Sequence, residues 1–177
     1  MYIAVAIVLL VVLAIVVVLL LAATKPRIFR VQRQANVNAG PDKLFPYIND
    51  FHKWAEWSPY EKLDPGMKRT FRGNTSGKGA IYEWEGNSKA GKGRMEILES
   101  SPSARVSIKL DFIKPFEGHN IAEFVMAPKE GHTEIIWSMQ GPAPFVARIF
   151  HVFINMDTMI GKDFQAGLNN LKAIAEK

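Results

Sequence analysis

Residues 2–23 form an unbroken run without charge, glycine or proline. At ~1.5 Å per residue they make a helix of about 33 Å, enough to cross a hydrocarbon core of ~30 Å. No polar position recurs at helical spacing, as it would in the core helix of a soluble protein. Beyond Lys25-Pro26-Arg27 the period changes to two. Residues 28–37 alternate, with Phe29, Val31, Ala35 and Val37 as the apolar members, and predict a strand. Asn38-Ala39-Gly40-Pro41-Asp42 is a turn into a helix, with Gly40 or the residue before it near the cap and Pro41 in the first turn. Leu44, Phe45, Tyr47 and Ile48 give that helix its apolar face. Asn49-Asp50 starts a second short helix over 51–56, which Ser58-Pro59 stops.

Six short strands follow, over 67–72, 80–85, 92–100, 105–112, 117–127 and from Thr133 onward. The fourth alternates most cleanly: Val106, Ile108, Leu110 and Phe112 share one face, and Arg105, Ser107, Lys109 and Asp111 the other. Lys129-Glu130-Gly131 is a hairpin turn, and Thr133, Ile135, Trp137 and Met139 share one face of the last strand. Gly141-Pro142-Ala143-Pro144 ends the sheet. Residues 145–175 then read as one long helix with Phe145, Ile149, Val152, Phe153, Met156, Ile160, Gly167, Leu171 and Ile174 in one stripe, weakened modestly by Gly161 and Gly167. A curved antiparallel sheet buries one face by wrapping such a helix, which predicts an α+β domain over 25–177 behind an anchor over 1–24.

Charge refines the picture. All 22 basic and 17 acidic residues lie beyond the apolar run, and the net charge is +5. Lys25, Arg27, Arg30 and Arg33 follow the run and nothing basic precedes it, which favours an uncleaved single span with the domain on the cytoplasmic side. A cleaved signal peptide, with Ala22 and Ala23 as its small-residue site, is the competing reading. No second run approaches ~18 apolar residues, so a polytopic protein is excluded. The basic residues are interspersed and no nucleic-acid motif occurs, which leaves a solvated surface or a face towards anionic lipid as their role.

Candidate chemistry is sparse. The absence of cysteine excludes disulfides, thiolate metal sites and thiol catalysis. His52, His119, His132 and His151 lack metal-ligand spacing, and no nucleophile elbow or phosphate-cradling loop occurs. No metal or cofactor is expected. Asp163, at the edge of the apolar stripe, is the one weak candidate for acid–base catalysis, with a rim ion pair or a cap as its alternative. Glu83, Glu85 and Glu123 fall on the opposite strand parity and are expected to face solvent.

The segment Leu44-Phe45-Pro46-Tyr47-Ile48-Asn49-Asp50-Phe51-His52-Lys53-Trp54-Ala55-Glu56-Trp57-Ser58-Pro59 resembles the N-terminal signature of the polyketide cyclase/dehydrase-like branch of the START-like (SRPBCC) superfamily. Gly77-Lys78-Gly79-Ala80-Ile81-Tyr82-Glu83-Trp84 is similar to its glycine–aromatic strand. Asn155-Met156-Asp157, Ile160-Gly161-Lys162-Asp163-Phe164 and Gly167-Leu168 resemble its C-terminal signature. The resemblance covers about residues 28–175 and implies a helix-grip fold with a ligand space between sheet and helix. Strand parity would then turn Tyr82, Trp84, Met95, Ile97, Ile108, Leu110 and Phe112 inward. Phe124, Met126, Ile135, Trp137 and Met139 would complete the sheet's share, and Phe145, Ile149, Phe153, Met156 and Ile160 the helix's. Aromatic and methionine linings suit an apolar ligand. The anchor lies outside the resemblance; with it, the abundant apolar lining and the lack of an acid–base constellation favour a membrane-anchored binder or carrier of an apolar small molecule or lipid, with a cyclase/dehydratase-like enzyme or a protein-interaction adaptor as alternatives.

Overall fold

The computed structural model describes residues 2–177. Helix α1 (Tyr2–Thr24) is followed by strand β1 (Ile28–Val37), α2 (Pro41–Asn49), a 3-10 turn (Phe51–Lys53), α3 (Trp54–Trp57) and a second 3-10 turn (Pro59–Lys62). Strands β2 (Lys68–Gly73), β3 (Ala80–Glu85), β4 (Lys92–Ser101), β5 (Arg105–Lys114), β6 (Gly118–Lys129) and β7 (His132–Pro142) come next. Helices α4 (Phe145–Phe153) and α5 (Met156–Ala175) close the chain. The sheet is antiparallel throughout, in the order β1-β7-β6-β5-β4-β3-β2. The expected α+β architecture, a sheet around a C-terminal helix, is the observed one.

Local chemistry sets the turns. Gly40 caps α2 with Pro41 in its first turn, as expected. Asp50 caps the first 3-10 turn, its carboxylate accepting from the His52 amide at 3.0 Å. Glu130-Gly131 joins β6 to β7 between the paired Lys129 and His132, and Gly131 takes the positive φ of 75° that a two-residue hairpin needs.

The C-terminal helix differs from the expectation of one continuous element over 145–175. Ile154 is extended, and the Asn155 side chain accepts from the Thr158 amide at 3.0 Å, starting α5 as a new helix. The break resets the helical phase. The buried face of α5 is Gly161, Phe164, Gly167, Leu168, Leu171 and Ala175. Met156 opens the helix half-buried, and Phe153, the last residue of α4 before the break, is 70% exposed.

Helix α5 packs along β1 and is clamped at both ends. Near its start, both Arg33 nitrogens meet the Asp157 carboxylate at 2.9 Å, and one also donates to the Asp157 carbonyl. Near its end, Lys172 Nζ donates to the Asn36 carbonyl at 2.8 Å and Glu176 accepts from the Asn38 amide at 2.6 Å. The two α5 glycines are therefore close-approach positions rather than weak points. A Cβ at Gly161 would collide with the Arg33 guanidinium, and one at Gly167 would lie 2.7 Å from the Trp137 ring.

Helix α1 has the length and composition of a membrane span or a signal sequence, and its most apolar window is 0% buried by the rest of the chain. It leads directly into β1, so Ile28 marks the α1 end of the sheet. Register carries that end across the strands: Ile28 pairs with Pro142, Gln140 with Ile121, Gly118 with Phe112, Phe112 with Gly93 and Gly93 with Trp84.

Candidate functional site on the concave face

Helices α2, α3 and α5 cover the concave face unevenly. At the end far from α1 it is solid. Trp137 lies parallel to Phe164 of α5, with ring centroids 4.0 Å apart and 6° between planes. Its other aromatic neighbours are Phe124 at 4.9 Å, Trp57 at 5.5 Å and Tyr60 at 6.3 Å. The indole nitrogens of Trp54 and Trp57 donate to the carbonyls of Ile48 and Tyr47, at 3.1 and 2.9 Å, and tie α3 beneath α2. Asn170 of α5 donates to the Trp57 carbonyl at 2.9 Å. Trp54 and Trp57 each thus spend the one donor on backbone and the ring on the core. Trp54, Trp57 and Phe164 are central to the face but were not among the expected lining residues. Phe164 was hidden by the assumed continuous helical phase, and the tryptophans lie outside any strand.

Along β3 and β5 coverage falls towards the α1 end, whereas along β6 and β7 Asn120, Ala122 and Met139 stay buried. Along β5, Val106 and Ile108 are buried, whereas Leu110 and Phe112 are half-buried; along β3, Ala80 and Tyr82 are buried and Trp84 is half-buried. Trp84 lies over Gly93, where a Cβ would strike its ring, and meets Phe112 edge-on at 5.9 Å. An aromatic row continues through Tyr82, 6.1 Å from Trp84, and Phe71, 5.2 Å from Tyr82. Of the expected lining residues, Ile108, Phe124, Met126 and Trp137 belong to the packed end. Met95 and Met139 are buried. Trp84, Leu110 and Phe112 form the open end. The helical group is not brought together: Met156 is at the start of α5, Ile149 lies against α1, and Phe153 is exposed.

A buried polar cluster borders this face. Glu61, on the second 3-10 turn, accepts from Arg69 Nε and from the Tyr82 hydroxyl, each at 2.6 Å, and its side chain is 7% exposed. Burial first, and then the bond to Glu61, push the Tyr82 phenol far above its ordinary value. The triad is internally satisfied and offers no free base. Sequence reasoning missed it because Glu61 lies on a 3-10 turn outside any expected element, and no local pattern sets it opposite Arg69 and Tyr82.

Asp163 is exposed on α5, and partial desolvation raises its carboxyl above the ordinary value. Neighbouring Tyr60 is raised much further, first by burial and then by the charge of Asp163. Glu83, Glu85 and Glu123 sit in outer-surface ion pairs with Arg72, Lys92 and Arg105. Among the described residues no group of three histidine or acidic side chains is placed to hold a metal. The indole nitrogen of Trp137 and the hydroxyl of Ser58 are buried without a partner among the described residues.

The comparisons agree with this architecture. A protein from Chromobacterium violaceum, CV1439, superposes with a TM-score of 0.60 at 18% identity, over 86% of this chain and 99% of that one. The hypothetical protein jhp0584 from Helicobacter pylori gives 0.63 at 12% identity, over 83% and 88%. The di-domain ARO/CYC BexL of the BE-7585A biosynthetic pathway gives 0.63 at 12% identity, over 89% of this chain and 53% of that chain. At such identities the likeness is one of fold. No curated protein matches the chain significantly. The family model described as polyketide cyclase / dehydrase and lipid transport matches residues 29–176, nearly the whole chain beyond α1, and the chain belongs to that family.

Proposed function

We propose that the protein is a membrane-anchored binder or carrier of an apolar small molecule or lipid, held at the α1 end of the concave face. The observation that carries this reading is the gradient of coverage: apolar side chains continue along β3 and β5 past the point where the helices stop burying them. Trp84, Leu110 and Phe112 supply the contact, with Tyr82, Met95 and Met139 behind them. The polar triad of Glu61, Arg69 and Tyr82 borders the site and is already paired, which suits recognition better than proton transfer.

Helix α1 anchors the domain in this reading, and the basic residues that follow it favour the cytoplasmic side for the domain. Lys25, Arg27, Arg30 and Arg33 carry that bias.

The test is an affinity series of fatty acids, isoprenoids and aromatic polyketides against the full-length protein in mild detergent. Burying ~200 Å² more apolar ligand surface contributes about 5 kcal/mol before the costs of association. Affinity therefore rises with apolar size until the site is full, and Phe112→Ala weakens the tightest ligand by about 1–2 kcal/mol, roughly 5- to 30-fold. Affinities that ignore both ligand size and Phe112 would overturn the reading. Turnover of a bound ligand that is lost in Asp163→Asn would replace it with the enzyme reading.

A further inference from the structure

Helix α4 has no role in the site above, and its surroundings are unusual. Of its nine residues only Arg148 and His151 are polar. Both are turned to the protein. Arg148 Nη1 lies 3.5 Å from the Ala23 carbonyl and 3.4 Å from that of Lys25, capping the end of α1, while His151 meets Phe29 edge-on at 6.3 Å. The remaining surface is apolar and uncovered: Val146, Phe150 and Phe153 are 65%, 53% and 70% exposed. Phe116, from the β5–β6 connection, joins the same patch 6.3 Å from Phe150 and is 76% exposed. Soluble surfaces seldom leave so many large apolar side chains together in water.

The position of α4 says what covers them. Ile149 shares a crevice of about 380 Å³ with Ala14, Ile15, Val18 and Leu19 of α1. Those residues lie about 8–15 Å along the helix from Thr24, at 1.5 Å per residue. Thus α4 reaches from the polar end of α1, where Arg148 sits, to the apolar body of α1, where Ile149 packs.

We propose that α4 and Phe116 are inserted into the lipid bilayer, forming a second membrane contact next to the open end of the concave face. The inference rests on the reading of α1 as a membrane span. If α1 crosses the bilayer, a segment packed against its apolar body lies in the same hydrocarbon, and the exposed face of α4 is continuous with the exposed face of α1. Arg148 is accommodated because its head reaches back to the carbonyls at the α1 terminus. The geometry gives α4 a function: it holds Trp84, Leu110 and Phe112 at the membrane surface, so an apolar ligand can pass from bilayer to site without crossing water.

The test uses the lack of native cysteine. Single variants Val12→Cys, Val146→Cys, Phe150→Cys, Phe153→Cys and Glu130→Cys of the full-length protein are labelled with an environment-sensitive fluorophore. Each is reconstituted into phosphatidylcholine–phosphatidylglycerol vesicles. Lipids with nitroxides on the acyl chain should quench the labels at 146, 150 and 153 as they quench the label at 12, while the label at 130, in the distant β6–β7 turn, loses emission only to an aqueous quencher. Quenching at 12 with water-like behaviour at 146, 150 and 153 overturns the insertion and leaves the anchor intact. Labels at α4 shielded from both quenchers overturn it in favour of a second copy covering the patch. Water-like behaviour at 12 and at α4 overturns insertion and anchor together. Quenching at α4 without quenching at 12 upholds insertion and removes the span.

Discussion

Truncating Phe164 and Phe153 separately tests where the C-terminal helix buries its face. Phe164 is 2% exposed and its ring lies flat on Trp137 at 4.0 Å, inside a stack that continues to Phe124 and Trp57. Phe164→Ala removes a buried ring stacked on Trp137. The cost is about 3–5 kcal/mol, lost transfer energy plus the cavity left behind. For a chain of this size ~1 kcal/mol moves Tm by roughly 2–4 °C, so a fall of about 10 °C is expected. Phe153 is 70% exposed, and Phe153→Ala should change stability by no more than about 0.5 kcal/mol. Thermal unfolding of both full-length variants in mild detergent, followed by tryptophan fluorescence, measures the difference. A single stripe running from Phe145 through Phe153 to Leu171 would make the two substitutions comparably costly. Equal shifts in Tm would therefore refute the broken helix and its reset phase.

Other outcomes follow from the same packing. Gly167→Ala should destabilise by about 1–3 kcal/mol despite its better helix propensity, because the new methyl meets Trp137 at 2.7 Å and Pro59 at 3.2 Å; denaturant midpoints compare it with an Ala166→Gly control on the exposed face. The hydrogen bonds from Arg33 hold the Asp157 carboxyl below its ordinary value, so the α5 clamp contributes stability above the ordinary carboxylate range and loses it as pH falls through the lowered value. An Asp157→Asn variant should thus differ from wild type at neutral pH and converge with it in acid. Asp163 has the opposite sign: desolvation raises its carboxyl, so its ionisation opposes folding as pH rises through that range. Asp163→Asn should be neutral to slightly stabilising at pH 7 and indistinguishable at low pH, and a marked loss of stability would reveal a partner for that carboxylate.

Much of the fold was legible because period-two alternation is a local signal. Residues 80–85 were expected as a strand and form one, and Glu83 and Glu85 face outward as their parity requires. The break at Ile154–Asn155 was not seen. The signal existed, since Asn155 followed by Asp157 is a helix start, but apolar residues on both sides allowed the stripe to be drawn through it. The site was legible in part for a related reason. Parity says which side chains turn inward; it cannot say which of them another element covers. Trp137 and Trp84 both face inward, yet one is buried under Phe164 and the other is left half-exposed by the end of α5's reach. Likewise, Gly161 and Gly167 reveal their purpose only once Arg33 and Trp137, distant in sequence, are opposite them.

The central claim is that the α1 end of the concave face holds an apolar molecule. Native mass spectrometry of the full-length protein, released from mild detergent, tests it most directly. The wild-type protein should carry a bound apolar mass that is lost from Leu110→Arg and Trp84→Arg, while a Phe153→Ala control retains it and all three variants keep cooperative unfolding. Wild-type protein that appears only at its bare mass, and that takes up no fatty acid, isoprenoid or polyketide on titration, would contradict the claim.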